Sequence, residues 1–190
     1  KQMQDLNPES FLTKDDFEDC VKFFHSIGIL LWYHKEPNLR SWVILNPKWA
    51  VDAVYKIIDY KKQTSKGIIL SKDFDSVWDA KMYEDKHFIL KEMLEVFKIA
   101  FPKKSNKADY IMPTRLESIP SDKIWSENET CLSVVYNFEF MPKGMVNQIS
   151  AELSRYISSD EQVWNNAVNF RDGETSSQVF ENFYERKIII

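Results

Sequence analysis

Trp42-Val43-Ile44-Leu45-Asn46-Pro47-Lys48-Trp49-Ala50-Val51-Asp52-Ala53-Val54 changes its period in the middle. Before Pro47 the run is short and apolar, the pattern of a strand. From Pro47 on, Ala50, Ala53, Val54, Ile57 and Ile58 recur at helical spacing. Proline suits a first helical turn, where its missing N–H has no partner to lose. The stretch therefore reads as a strand running into a helix.

Upstream, Ile29 to His34 is a second short apolar run, separated from the first by the turn-forming Lys35 to Ser41 with Pro37 and Asn38. The two runs are expected to pair antiparallel. Further upstream, Thr13 and Asp16 form a capping box with Asp in place of Glu or Gln. Phe17, Cys20, Val21, Phe24 and Ile27 follow at helical spacing, and Gly28 closes the helix. On that apolar face Cys20 is expected to be a buried, reduced thiol.

Downstream, Ile68 to Leu70 reads as a short strand and Ser71 as the cap of a helix over Lys72 to Ala80. Lys86 to Phe101 carries two apolar stripes, Ile89-Met93-Val96-Ala100 and Leu90-Leu94-Phe97-Phe101, so it is expected to be a long helix buried on two sides. Tyr110 to Met112 is a further short strand, stopped at Pro113. Arg115 to Thr130 is polar and irregular. Cys131 to Phe140 alternates as a half-buried strand, and Pro142 opens a helix with Met145, Val146, Ile149, Leu153 and Tyr156 on one side. Val163 to Phe170 and Gln178 to Ile190 read as strands joined around Asp172-Gly173.

The fold class that follows is α+β in two subdomains. Residues 1–114 form a mostly helical, winged-helix-like unit with a small antiparallel sheet; 115–130 form a linker; 131–190 form an antiparallel sheet packed with one helix. The start without Met and the bare Ile188-Ile189-Ile190 suggest a piece of a longer protein.

Composition restricts function. Only 4 of 190 residues are glycine, and Gly28, Gly67, Gly144 and Gly173 stand far apart, so no glycine-rich loop is present to cradle phosphate. Residues up to Thr114 carry 18 basic and 17 acidic side chains, the remainder 7 and 12, which leaves neither part the positive surplus that duplex phosphate requires. A winged-helix nucleic-acid-binding domain, suggested by the helix and hairpin order, is the alternative this balance weighs against. His25, His34 and His87 lack partners at metal spacing, and no Gly-x-Ser-x-Gly elbow exists. Catalytic, cofactor-binding and metal-binding residues are all read as none. No apolar run reaches the length of a membrane span, and two cysteines do not make a disulfide framework, so an intracellular, cytoplasmic location is expected. The acidic start of the first helix suits the positive end of its dipole better than a calcium loop. Lys103, Lys104 and Lys107 read as a solvated loop. Of six tryptophans, Trp49, Trp78 and Trp164 fall in core-like patterns. Trp32 and Trp42, on the paired runs, are candidates for a protein contact.

Ser26-Ile27-Gly28-Ile29-Leu30-Leu31-Trp32-Tyr33, followed by Val43 to Tyr55 with its Asn46-Pro47-Lys48-Trp49, resembles the COR domain of Roco proteins, the multidomain GTPases that include the leucine-rich-repeat kinases. Tyr136 to Met145 is similar to the opening of the second COR subdomain, and Val163 to Val168 to its following strand. The resemblance runs from about Phe17 to Ile190 and implies a non-catalytic module. A Roc GTPase domain would lie just before it, and the module would couple nucleotide state to dimer association. The first subdomain would pack on the GTPase through Trp32, Trp42 and Val43; Val43 occupies a position that is commonly aromatic in the family. The second would carry the homodimer contact, here assigned to Phe170, Phe180, Phe183 and Tyr184, and would extend past Ile190.

Overall fold

Thr13 begins the first helix by the reciprocal contact its sequence predicts. Its Oγ1 accepts from the Asp16 N–H at 3.1 Å, while its own N–H donates to Asp16 Oδ2 at 2.9 Å. The Thr13 hydroxyl and N–H hold the Asp16 carboxyl below its ordinary range. The computed structural model describes residues 13–60, 67–125 and 132–190, and the expected role of Cys131 in opening a strand lies outside them. Backbone contacts divide the chain into units 1–55 and 56–190, with the division inside a helix.

In the first unit, α1 (Lys14–Ser26) ends at Gly28, whose φ of +75° glycine adopts without strain. α2 (Pro47–Asp59) begins at the proline, as expected. Two expectations are corrected. The runs around Leu31 and Ile44 do pair antiparallel, but through one bridge: each N–H donates to the other's carbonyl at 2.9 Å. Successive turns between Tyr33 and Trp42 consume the backbone groups a longer ladder would need, pinned by the buried Leu39. Cys20 is exposed rather than buried, because only Val21 of the α1 stripe is covered.

In the second unit, β1 (Ile68–Ile69), β3 (Tyr110–Ile111) and β2 (Phe101–Pro102) form an antiparallel sheet in that spatial order. Gly67 brings the chain into it; a Cβ there would lie 2.6 Å from Leu116 Cδ2. α3 (Ser71–Val77) is capped by Asp73, whose Oδ2 accepts from the Leu70 N–H at 2.9 Å, and not by the Ser71 hydroxyl. Its Phe74 stacks on Trp78 and meets Tyr110 edge-on. α4 (His87–Val96) is shorter than its two stripes predict. Lys98 turns left-handed at φ +58°, and the chain continues as β2, so Phe101 enters the core from a strand instead of a helix. Glu95 receives the Tyr110 hydroxyl at 2.8 Å. Burial pushes the Tyr110 phenol well up, aided by the adjacent Glu95 charge, and burial likewise raises Glu95.

A second antiparallel sheet has the order β4-β7-β6-β5, from β4 (Val135–Asn137), β5 (Ala167–Asp172), β6 (Thr175–Asn182) and β7 (Lys187–Ile189). The expected strand over 178–190 is two strands. A turn at Phe183 to Arg186 separates them, held by Asn182 Oδ1 accepting from the Glu185 N–H at 3.1 Å and by a positive φ at Arg186. α5 (Met145–Glu152) starts three residues after Pro142, once Gly144 has turned through φ +83°. Phe101, Ile111, Met141, Val146, Val168, Phe170, Val179 and Ile188 share one core, to which Leu116 adds. Ile119, in the stretch expected as a linker, is buried with Trp164 and Ala167. The architecture is α+β with two antiparallel sheets.

Asp160 ties the Lys103–Ala108 loop to the second sheet's surroundings. Its carboxylate accepts from the Lys104 N–H at 2.7 Å, the Ser105 N–H at 3.0 Å and the Ser105 hydroxyl. Burial alone would raise its pKa, but the Ser105 and Lys104 hydrogen bonds outweigh burial and hold it below the ordinary 3.8. The charged form is thus favoured by folding, so this contribution is present above pH 3.8 and is lost as pH falls through the lowered value. Asp160→Asn should lower Tm at neutral pH, with the gap to the wild type closing as the pH drops below that range; a gap that stays constant through acid would show the carboxylate carries no such role. Leu94, fully buried on α4, provides the packing test: Leu94→Ala should cost about 2–5 kcal/mol in denaturant unfolding.

Candidate interaction surfaces

The first unit leaves many large apolar side chains uncovered. Phe17 and Phe23 on α1 and Ile27 at its C-cap are exposed, as are Ile29, Val51 and Tyr55. Between them in sequence lie Trp42 at 44%, Val43 at 39% and Leu45 at 79% exposure. Exposed large apolar side chains that gather on one surface mark a place for a partner to cover.

The structure separates the three residues expected to contact a GTPase domain. Trp42 and Val43 are exposed. Trp32 is half-buried and committed internally: its indole N–H donates to the Arg40 carbonyl at 2.7 Å, and its backbone N–H donates to His25 Nδ1 at 3.3 Å. Its ring lies 5.2 Å from that of His34. Trp32 thus supports the Tyr33–Ser41 turns from which Trp42 projects. Burial raises the phenol pKa of the neighbouring Tyr33. Leu45 and the α1 phenylalanines belong to the same exposed set and were not singled out from sequence. Alternation about the bridged Ile44 could have pointed to Leu45 beside Val43, but helical spacing on α1 reads identically for a core stripe and for a docking stripe.

In the second unit, Tyr184 is 96% and Phe183 44% exposed, both in the β6–β7 turn with their rings edge-on. Phe180 is half-buried against the Ile119–Trp164 cluster. The expected surface role of Phe170 does not fit its position, because Phe170 shares the inward face of β5 with Val168 and is 7% exposed. Behind the turn lies a groove of 770 Å³ lined by Lys143, Asn147, Asn165, Asn166 and the end of β6. Glu181, buried beside it, accepts from the Val146 N–H at 3.0 Å and the Gly144 N–H at 3.4 Å, so the strand caps α5. The β4 edge also shows apolar residues to solvent, with Val134, Val135, Tyr136 and Phe140 exposed.

Chemistry-bearing groups do not converge in the same way. Among the described residues there is no group of three or more His, Cys, Asp or Glu side chains placed to hold a metal ion, and no helix is long and apolar enough to cross a membrane. His87 sits between the Trp78 carbonyl at 3.1 Å and the Asp75 carboxylate at 3.3 Å, in a hollow whose other ionisable walls are Asp79, Lys81, Glu84 and Asp85. Of the expected core tryptophans, Trp78 and Trp164 are buried and Trp49 is half-buried.

Residues 2–116 match the sequence model of the C-terminal of Roc, COR-A domain. Similar proteins include a probable serine/threonine-protein kinase, roco11, of Dictyostelium discoideum, 29% identical over 71% of this chain and 10% of its own length. The probable kinase pats1 of the same organism is 27% identical over 82% of the chain and 5% of its length. A Roc-COR-CHAT protease of Runella zeae is 21% identical over 96% of the chain and 19% of its length. The chain thus spans no more than 19% of any of these relatives. Among solved structures, that of Methanosarcina barkeri Roco2 RocCORdC bound to GDP is similar at 20% identity and a TM-score of 0.47, covering 55% of this chain and 33% of that one. With the match running through more than half of its length, and with the Pro47 helix start and the exposed Trp42–Leu45 segment inside it, this chain belongs to the COR domain family of Roco proteins.

Proposed function

We propose that this chain works as a transducer in a Roco-type GTPase, coupling the nucleotide state of an adjacent Roc domain to dimer association and downstream signalling. The observation that carries the proposal is the uncovered apolar set on the first unit, α1 with Trp42, Val43 and Leu45, in a family named for its position after Roc. Apolar side chains at this density are stabilised by removal from water, and a neighbouring domain in the same chain is the nearest source of cover. The first subdomain in this reading is 1–114, 115–130 joins it to the second, and 131–190 is the second; the family match ending at residue 116 supports the first boundary. Homodimer contact is assigned to the second subdomain through Phe183 and Tyr184, with Phe180 behind them and Phe170 shaping the sheet from inside. Any GTPase chemistry belongs to the preceding domain, and the parent protein is read as cytoplasmic. Neither part of the chain has the basic surplus that would favour nucleic acid.

Joined to its upstream GTPase domain, the protein should change mass by light scattering between GDP and a GTP analogue. A monomer in both states, or a dimer indifferent to nucleotide, would count against the coupling. Trp42→Glu should weaken docking of the GTPase domain by roughly 2 kcal/mol or more, as for a central aromatic anchor. The isolated chain carrying it should unfold within about 0.5 kcal/mol of the wild type, as for a surface substitution. Unfolding of the isolated variant would instead assign Trp42 to the core.

A further inference from the structure

The second sheet has one covered edge and one bare edge. Outside β5, the segment 158–164 is bonded to the strand: the Ser158 N–H donates to the Asn169 carbonyl at 2.9 Å, and the Trp164 N–H to the Ala167 carbonyl at 2.8 Å. β4 stands at the other edge, and among the described residues β7 is its only strand partner. Val134 and Ile190 exchange both backbone hydrogen bonds, at 2.8 and 2.9 Å, and the Phe138 N–H donates to the Arg186 carbonyl at 2.9 Å. Antiparallel ladders alternate, so the N–H and C=O groups of Val135 and Asn137 point away from β7. Among the described residues nothing bonds them.

The devices that ordinarily blunt such an edge are missing. Leu132 to Phe138 holds no proline, glycine or charged residue. Tyr136 shares a face with the buried Ile188, its partner on β7, yet it is 53% exposed. The core-side face of the sheet therefore runs past its cover at β4. Leu132 and Phe140, beyond the two ends of the strand, are exposed as well.

We propose that two copies of the chain pair edge to edge through β4, antiparallel, with Tyr136 opposite Tyr136. The pairing rests on the homodimer reading above and gives that dimer a surface apart from Phe183 and Tyr184. In this register both outward residues find partners inside the strand: Val135 of each copy exchanges two backbone hydrogen bonds with Asn137 of the other. The same register sets Val134 opposite Phe138 and Leu132 opposite Phe140, apolar against apolar. Like charges do not meet, because Glu139 falls opposite Ser133. A two-fold contact needs a surface complementary to itself, and this edge is one. Aromatic side chains carry roughly 150–250 Å² each. Covering Tyr136, Phe140 and their aliphatic neighbours in both copies removes on the order of 1,000 Å² from water, the size at which an interface becomes specific.

The test is sedimentation equilibrium of the 190-residue chain from about 1 μM to about 1 mM. The wild type should dimerise within that range. Tyr136→Lys and Tyr136→Glu should each stay folded and self-associate at least about tenfold more weakly, through the lost aromatic pair and the like charges now set opposite each other. Mixed in equal amounts, the two should associate more tightly than either alone, because the register places lysine against glutamate. Should either fail to fold, Val135→Pro must show the loss instead, since it removes an N–H that faces away from the ladder. A wild type still monomeric at about 1 mM, folded variants that dimerise as the wild type does, or a mixture no tighter than its components would each overturn the proposal. A dimer lost in Tyr184→Ser but kept in both Tyr136 variants would sink the β4 edge and leave the dimer assignment standing. Pairing through Tyr136 that ignores GDP and a GTP analogue, once the upstream GTPase domain is joined, would leave the edge standing and sink the coupling.

Discussion

A carboxylate can be taken out of water only where donors replace its hydration, and Glu181 meets that condition through the backbone of α5. The contact does more than satisfy a charge. Glu181 lies on β6, which pairs with β5 on one side and β7 on the other, so its anchoring orients α5 against the middle of the sheet. Val146, the residue whose N–H it receives, is fully buried in the shared core with Val168, Val179 and Ile188. Helix position, sheet position and the groove between them therefore follow from one side chain. Gly144 makes the approach possible by turning through a conformation that residues with a Cβ rarely adopt.

Local chemistry was legible in the sequence where a single residue type has one good use. Thr13 with Asp16, Gly28, Pro47 and Asp172-Gly173 each mark the boundary they were read to mark. Errors arise where tertiary contacts choose between equivalent local options. The stripe ending in Ala100 and Phe101 suits a helix or a buried strand alike, and the left-handed turn at Lys98, without a glycine, decides for the strand. The β6–β7 turn has no glycine or proline, and only the Asn182 side-chain bond and Arg186 close it. The run around Leu31 has strand composition but finds one bridging partner, because turns take up the intervening backbone.

The candidate surfaces show the same division. Of the two tryptophans that the sequence offered as contact candidates, Trp42 is exposed and Trp32 is half-buried; Val43, which the family resemblance added, is exposed. Alternation gives Phe170 a face but not which face is inward, and no glycine or proline in the sequence marks the turn that exposes Phe183. The α1 stripe was read as core, yet most of it faces outward. The asparagine groove left no periodic trace at all. Its members come from a helix, a loop and a strand end, and only folding brings them to one groove.

The pairing of β4 with β7 has a consequence for how this polypeptide matures. Val135 waits for Ile189, and β6, which precedes β7 in the chain, must leave room for it between β4 and itself. During synthesis on the ribosome β4 therefore emerges before its mate, with its Val135 and Tyr136 side chains and its ladder unpaired until residues 187–189 follow. A strand in that state is open to competing pairings, and the sheet closes only once residues 187–189 are available.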